Sequence, residues 1–157
     1  MSQPGRTHCG TLSLWLARLT LSLVFLVNLQ CALAFLFSPG RYVCSFEVSG
    51  VGGRMVVQGF GIFILLWIMP YPAAIYHPRR HILSFAYTLV AQAIGTFAET
   101  ILLLTLPPGH PTLHGTGLRF ILVDGIGLML LLATFLLVWR TVAPRPIQHY
   151  NRQPDYP

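Results

Sequence analysis

Four long apolar runs, separated by short polar or proline-rich segments, dominate this sequence. Each run holds about the 20 apolar residues that a helix needs to cross a bilayer. The pattern predicts transmembrane helices at about 12–37, 55–76, 82–106 and 118–139. It therefore predicts an all-α polytopic membrane protein, with a four-helix transmembrane bundle over residues 1–140. Residues 141–157 are rich in proline and polar residues, and we expect a disordered cytoplasmic tail there.

Proline and glycine mark the predicted ends of the helices. Pro39 and Gly40 follow the first run, and Pro70 and Pro72 are expected to kink or end the second run near the membrane surface. Residues 41–49 alternate loosely, which fits a short strand or an interfacial segment. A signal peptide cleaved after 32–34 is the alternative for the first run. A retained helix is favoured, because the run exceeds the usual 7–15 apolar residues.

The composition points to lipid as the surroundings of the chain. Of its residues, 54% are hydrophobic and only 9% are charged, against roughly 25% charged in soluble domains. The ten basic residues are all arginines, placed singly or in pairs beside the apolar runs. They form no basic stripe, so anionic lipid headgroups are the expected counter-charge and nucleic acid is not. The three cysteines form no CxxC motif and predict no disulfide framework.

The distribution of the arginines predicts the orientation, because loops on the cytoplasmic side are enriched in them. Arg41, Arg54 and Arg119 would lie on one side of the membrane. Seven would lie on the other side, with both termini and the middle loop: Arg6, Arg18, Arg79, Arg80, Arg140, Arg145 and Arg152. We therefore expect a multi-pass protein of the cell inner (plasma) membrane with both termini in the cytoplasm.

Polar residues inside the apolar runs suggest a shared site. Glu99 and Asp124 would each lie roughly 10 Å below the outer boundary, on neighbouring antiparallel helices. An ionisable group at that depth usually has a partner or a function. The predicted binding cluster comprises Arg54, Gln58, Gln92, Glu99, Arg119 and Asp124. Outer members of this predicted cluster would be Asn28, Gln30 and the loop residue Glu47.

Two interpretations of this cluster compete, with accidental placement towards lipid as a third. Arg54 could form a buried ion pair with Glu99 or Asp124 that fixes the register of the bundle. Alternatively, two acids facing one arginine could form a small-molecule or proton site that opens outward. No metal or cofactor is expected. The histidine pairs four residues apart each contain a proline, and no haem, di-iron or Ser-His-Asp pattern is present.

The four-helix pattern, the Pro39-Gly40 break and the Gly52-Gly53-Arg54 and Gly59-Phe60-Gly61 motifs resemble small bacterial membrane proteins of the DoxX-like families. The likeness covers about residues 12–139, and the segments 67–72 and 92–99 look like features of an uncharacterised branch. The resemblance implies a compact four-helix bundle and a link to redox or quinone-associated complexes. No catalytic residue can be carried over.

Three functions fit these features. The favoured one is a non-catalytic membrane subunit or assembly factor, which predicts a polar cluster sealed by protein. The second is a binding or transport protein for a small lipophilic or anionic molecule, with a cavity lined by the cluster and by Phe60 and Phe120. An enzyme acting on a quinone-like substrate is the least favoured. The expected partners are the lipid bilayer together with other membrane proteins or further copies of the chain.

Overall fold

A computed structural model gives the architecture and describes the backbone of residues 6–142 and the side chains of residues 11–140. Within that part every regular element is helical. The elements are α1 (Arg6–Phe37), a 3₁₀ turn (Pro39–Arg41), α2 (Gly50–Trp67), α3 (Tyr71–Tyr76), α4 (Ile82–Leu104) and α5 (Pro111–Val142). The predicted tail falls outside the described residues, apart from Thr141 and Val142, which are the last two residues of α5.

Four stretches are long and apolar enough to cross a membrane: Thr11–Phe37, Gly50–Tyr76, Ile82–Leu104 and Pro111–Arg140. The prediction of an all-α membrane protein with four transmembrane helices is therefore confirmed. Two spans begin several residues earlier than predicted, the second at Gly50 and the fourth at Pro111. The loop at 41–49 forms turns and no strand.

The helices form a row in the order α2, α1, α5, α4. Helix α1 packs on both α2 and α5, and α4 packs mainly on α5. The short helix α3, which continues the second span after a turn at residues 68–70, fits between α1 and α4. The core accordingly lies between α1, α3, α4 and α5, where Leu21, Tyr71, Phe85 and Leu131 are fully buried.

A glycine contact joins α1 to α2. The buried face of α2 carries Gly53, Val57 and Gly61 at intervals of four residues. A Cβ atom at Gly61 would lie only 2.9 Å from the backbone oxygen of Ala32 on α1. Small residues at such positions let two helix backbones approach closely, which is the usual basis of helix association in membranes.

Arg18 of α1 contacts the end of α3 at one end of the bundle. Its Nη2 donates a hydrogen bond of 2.9 Å to the backbone oxygen of Tyr76, the last residue of α3. Its guanidinium also lies 5.5 Å from the centre of the Trp15 ring, within cation–π range. Cations favour helix C-termini because the unpaired carbonyl groups carry partial negative charge. Arg18 therefore ties α3 to α1.

Candidate functional site

A chain of polar side chains connects α3, α4 and α5 in the core. The Tyr71 hydroxyl donates to Gln92 Oε1 at 3.4 Å, and Gln92 Nε2 donates to Asp124 Oδ1 at 2.9 Å. The same Nε2 also lies 3.4 Å from the backbone oxygen of Asp124. Tyr71 is 0% exposed and Gln92 is 3% exposed, so the link between them is sealed by protein. One amide thus contacts two neighbouring helices.

The local sequence explains why Gln92 faces inward. Phe85, Thr88 and Gln92 are the buried residues of α4, and their spacing places them on one face of the helix. On α5, Gly127 faces the amide, and a Cβ atom there would lie at an ordinary contact distance of 3.6 Å from Gln92 Nε2. Tyr71 reaches the same point because it begins α3, immediately after the interruption of the second span.

Glu99 joins this group from two turns further along α4. Its carboxyl group lies close enough to that of Asp124 for the two to interact electrostatically. Glu99 Oε2 is buried and receives no hydrogen bond. We call Tyr71, Gln92, Glu99 and Asp124 the intramembrane cluster.

Cys31 of α1 lies beside the cluster, within electrostatic reach of both acids. Sequence reasoning missed Cys31 and Tyr71. A cysteine in an apolar run carries no distinguishing signal, because it behaves there as a small hydrophobic residue. Tyr71 stands between two prolines that predicted the membrane surface, and it is instead buried in the core.

The structure corrects the expectation that arginines pair with these acids. Arg54 and Arg119 are exposed, and neither forms an ion pair with Glu99 or Asp124. Helix α2 packs along α1, whereas the acids lie on α4 and α5. Because α1 stands between α2 and α5, Arg54 does not reach the acids. Of the six predicted binding residues, the structure brings together Gln92, Glu99 and Asp124.

The remaining amides have separate partners or none. Gln58 Nε2 donates at 3.3 Å to the backbone oxygen of Leu36, near the end of α1. Asn28 Nδ2 donates at 2.9 Å to the backbone oxygen of Val24 on its own helix. Gln30 is exposed. None of these three residues, all predicted near the acids, contributes a hydrogen bond to the intramembrane cluster as the structure describes it.

The early start of α5 also changes the expected depth of Asp124. Thirteen residues separate it from Pro111, which corresponds to about 20 Å along a helix instead of the predicted 10 Å. Asp124 therefore lies near the middle of the span Pro111–Arg140. Glu99 lies closer to its helix end, five residues before Leu104.

Glu47 binds the beginning of α5 and does not cap the cluster. Its Oε1 accepts a hydrogen bond of 3.0 Å from the Leu113 amide, and its Oε2 lies 2.5 Å from His110 Nδ1. A carboxylate is favoured at a helix N-terminus, where unpaired N–H groups carry partial positive charge. The hydrogen bond from the Leu113 amide is the main reason that the pKa of Glu47 lies below its usual value, and the contact with His110 lowers this pKa further. Pro111, which needs no N–H partner, completes this start of the helix.

The contact made by Glu47 predicts a pH-dependent contribution to stability. Because the folded-state pKa is lowered, this contribution is present above the ordinary glutamate pKa of about 4.3 and is lost as the pH falls through the lowered value. Glu47→Gln should lower the melting temperature at neutral pH, and the difference from wild type should shrink in acid. Thermal unfolding measured between about pH 6 and pH 3 checks this. A difference that stays constant with pH would contradict it.

Aromatic side chains from the first loop pack over the adjoining end of the bundle. The Phe46 ring stacks on Phe120 of α5 at 6.0 Å, and it also contacts Phe60 of α2 at 5.8 Å and Phe35 of α1 at 5.6 Å. Phe60 and Phe120 were expected to line a cavity together with the acids. They instead pack against Phe46.

Two shallow apolar grooves lie on the outer surfaces of the helices. One, of about 360 Å³, is lined by Val56, Gly59, Phe60 and Phe63 of α2. The other, of about 500 Å³, follows α5 from Ile121 to Leu130 past Gly125. Neither groove includes a residue of the intramembrane cluster. Within the described chain, no three histidine, cysteine or acidic side chains are grouped to hold a metal ion.

Comparison with protein-family models, with curated proteins and with solved structures finds no significant match to this chain.

Proposed function

We propose that this chain is a non-catalytic integral membrane subunit or assembly factor, in which the intramembrane cluster fixes the packing of the helices. The observation that carries the proposal is Gln92, which is 3% exposed and bonded on both sides to residues of neighbouring helices. The two grooves lie elsewhere and hold none of the cluster. A sealed polar link of this kind sets helix register and leaves the outer faces for lipid or protein partners.

The chemistry of the amide suits this role. Gln92 accepts a hydrogen bond from the Tyr71 hydroxyl through its oxygen and donates one through its nitrogen to Asp124. Sliding α4 by one turn against α5 would break the bond to Asp124 and leave buried polar groups without partners. Such groups are costly away from water. The observed register of α4 against α5 is therefore favoured over a register that is shifted by one turn.

A second candidate is supported by Glu99. Its buried Oε2 receives no hydrogen bond, so a small molecule that carries an amine or another hydrogen-bond donor could satisfy it. An anionic ligand fits less well than the sequence suggested, because Arg54 and Arg119 lie away from the acids. Binding or transport of a small lipophilic donor is thus the alternative function. No specific observation favours an enzyme that acts on quinones.

Native mass spectrometry of the protein extracted in lipid nanodiscs separates the two candidates. The subunit proposal expects no small molecule in fixed ratio to the chain, and it expects protein partners to remain bound. A small molecule present in one-to-one ratio, lost in Glu99→Gln and retained in Arg54→Gln, would support the binding function and contradict the first proposal. The Arg54→Gln variant is the matched control because its side chain is exposed.

The proposed placement is the plasma membrane with both termini in the cytoplasm. It rests on seven arginines on one side of the spans against three on the other. The link to redox or quinone-associated complexes that the DoxX-like resemblance implies stays a prediction.

A further inference from the structure

Helix α1 carries a second apolar face that no other part of the described chain covers. Its leucines are between 40% and 64% exposed, whereas the opposite face, which includes Leu21 and Phe35, is buried in the bundle. The exposed positions recur at alternating intervals of three and four residues. We call them the α1 stripe: Leu16, Leu19, Leu23, Leu26, Gln30 and Leu33.

The spacing of the α1 stripe is that of a coiled-coil seam. Intervals of three and four average 3.5 residues, which keeps one narrow line of side chains facing a partner helix along its whole length. Leu12 and Phe37 extend the same intervals at both ends and are 62% and 80% exposed. The stripe therefore runs the full length of the span Thr11–Phe37.

Gln30 distinguishes this face from an ordinary lipid-facing one. It lies seven residues before Phe37, about 10 Å along the helix and so within the apolar part of the span. Leucine side chains are well accommodated by lipid tails, but an amide there has no hydrogen-bond partner. The structure gives Gln30 no partner, while Asn28 on the same helix bonds its own backbone at Val24. Gln30 therefore needs a partner beyond the residues that the structure describes.

We propose that two copies of the chain associate through the α1 stripe as a parallel coiled coil, with their Gln30 side chains hydrogen-bonded across the two-fold axis. The occupant is a second copy because a primary amide is both donor and acceptor and hence complementary to itself. A two-fold interface brings a residue near the axis against the same residue of the partner copy. The copies run parallel because each has the same topology in the membrane.

The heptad pattern gives Gln30 a specific role in this pairing. Taking Leu16 and Leu23 as positions a, and Leu19 and Leu26 as positions d, places Gln30 at the next position a. One polar residue at such a position fixes register and the number of strands, because any slip leaves the amide facing leucine. The proposal uses no residue of the intramembrane cluster, so it can fail or hold independently of the proposed function.

Fluorescence energy transfer between labelled copies in liposomes, measured at several protein-to-lipid ratios, tests the pairing. We expect a dimer whose dissociation constant rises about tenfold in Gln30→Leu, which corresponds to about 1.4 kcal/mol. Asn28→Leu is the matched control, because it removes an amide already bonded within its own helix, and it should leave the constant unchanged. A monomer at every ratio, or an unchanged constant in Gln30→Leu, would overturn the proposal.

Cysteine cross-linking checks which face is used. With the three native cysteines replaced, single cysteines at Leu26 and Leu33 should form cross-linked dimers in membranes. Cysteines at Ile94 of α4 and Met129 of α5, which are 60% and 66% exposed on other helices, should not. Equal cross-linking at Ile94 or Met129 would show that another face is the interface and would contradict the assignment to α1.

Discussion

Replacing Gln92 by leucine is expected to lower the free energy of unfolding by about 2 kcal/mol. Leucine has a similar size, so the packing against Gly127 is retained while both hydrogen bonds are lost. The buried Tyr71 hydroxyl and the half-buried Asp124 carboxylate would then lose the partner that they have in the structure. Leaving a buried polar group unsatisfied typically costs 1–3 kcal/mol. Reversible unfolding in mixed micelles, followed by tryptophan fluorescence, measures the loss.

Gln58→Leu is the control for this prediction. That amide is only half-buried and makes a single longer hydrogen bond of 3.3 Å to the backbone of Leu36. Its replacement by leucine should cost less than half as much. Equal losses in the free energy of unfolding would contradict the prediction that Gln92 stabilises the fold more than the half-buried Gln58 does.

Replacing Gly61 by alanine is expected to weaken the contact between α1 and α2, with a loss of about 1–3 kcal/mol. The added Cβ atom would lie 2.9 Å from the Ala32 oxygen and 3.0 Å from Leu36 Cγ. The first of these is a backbone atom that cannot rotate away, so the two helices must separate. Reversible unfolding in mixed micelles, followed by tryptophan fluorescence, measures this loss in the free energy of unfolding.

Gly59→Ala gives the matched control two residues away on the same helix. A Cβ atom there meets nothing within 4 Å. Alanine is favoured over glycine inside a helix by up to about 1 kcal/mol, so this variant should be as stable as wild type or slightly more stable. If Gly59→Ala were as destabilised as Gly61→Ala, the loss could not come from the contact with Ala32.

The transmembrane helices could be predicted from the sequence because a span must be apolar along most of its length. The start of α5 could not. Residues 111–117 contain histidine, threonine and glycine and resemble a loop in hydropathy, yet they are helical from Pro111 onward. The Glu47 carboxylate, 66 residues away from Leu113 in sequence, binds the end of that helix. A contact between residues so far apart in sequence produces no local pattern from which the start of α5 could be predicted.

Part of the cluster was also predictable. Gln92, Glu99 and Asp124 are conspicuous because polar groups are rare inside such runs. The expected depth of Arg54 in the membrane makes it a candidate partner of these acids, but depth does not indicate which helices are neighbours. The contact of Gly61 with Ala32 and Leu36 places α2 against α1 instead. Tyr71 could not be predicted, because the prolines on either side of it indicate a helix end at the membrane surface. In the structure the turn at residues 68–70 is instead followed directly by Tyr71, which is buried in the core.

A double-mutant cycle between Gln92→Leu and Asp124→Ala tests most directly whether the intramembrane cluster holds α4 to α5. A coupling free energy of about 1 kcal/mol is expected, within the range of hydrogen bonds measured in membrane proteins. The parallel cycle between Arg54→Gln and Asp124→Ala should give a coupling near zero, because Arg54 is exposed and forms no ion pair with Asp124. Additive effects in the first cycle, or clear coupling in the second, would contradict this account of the fold.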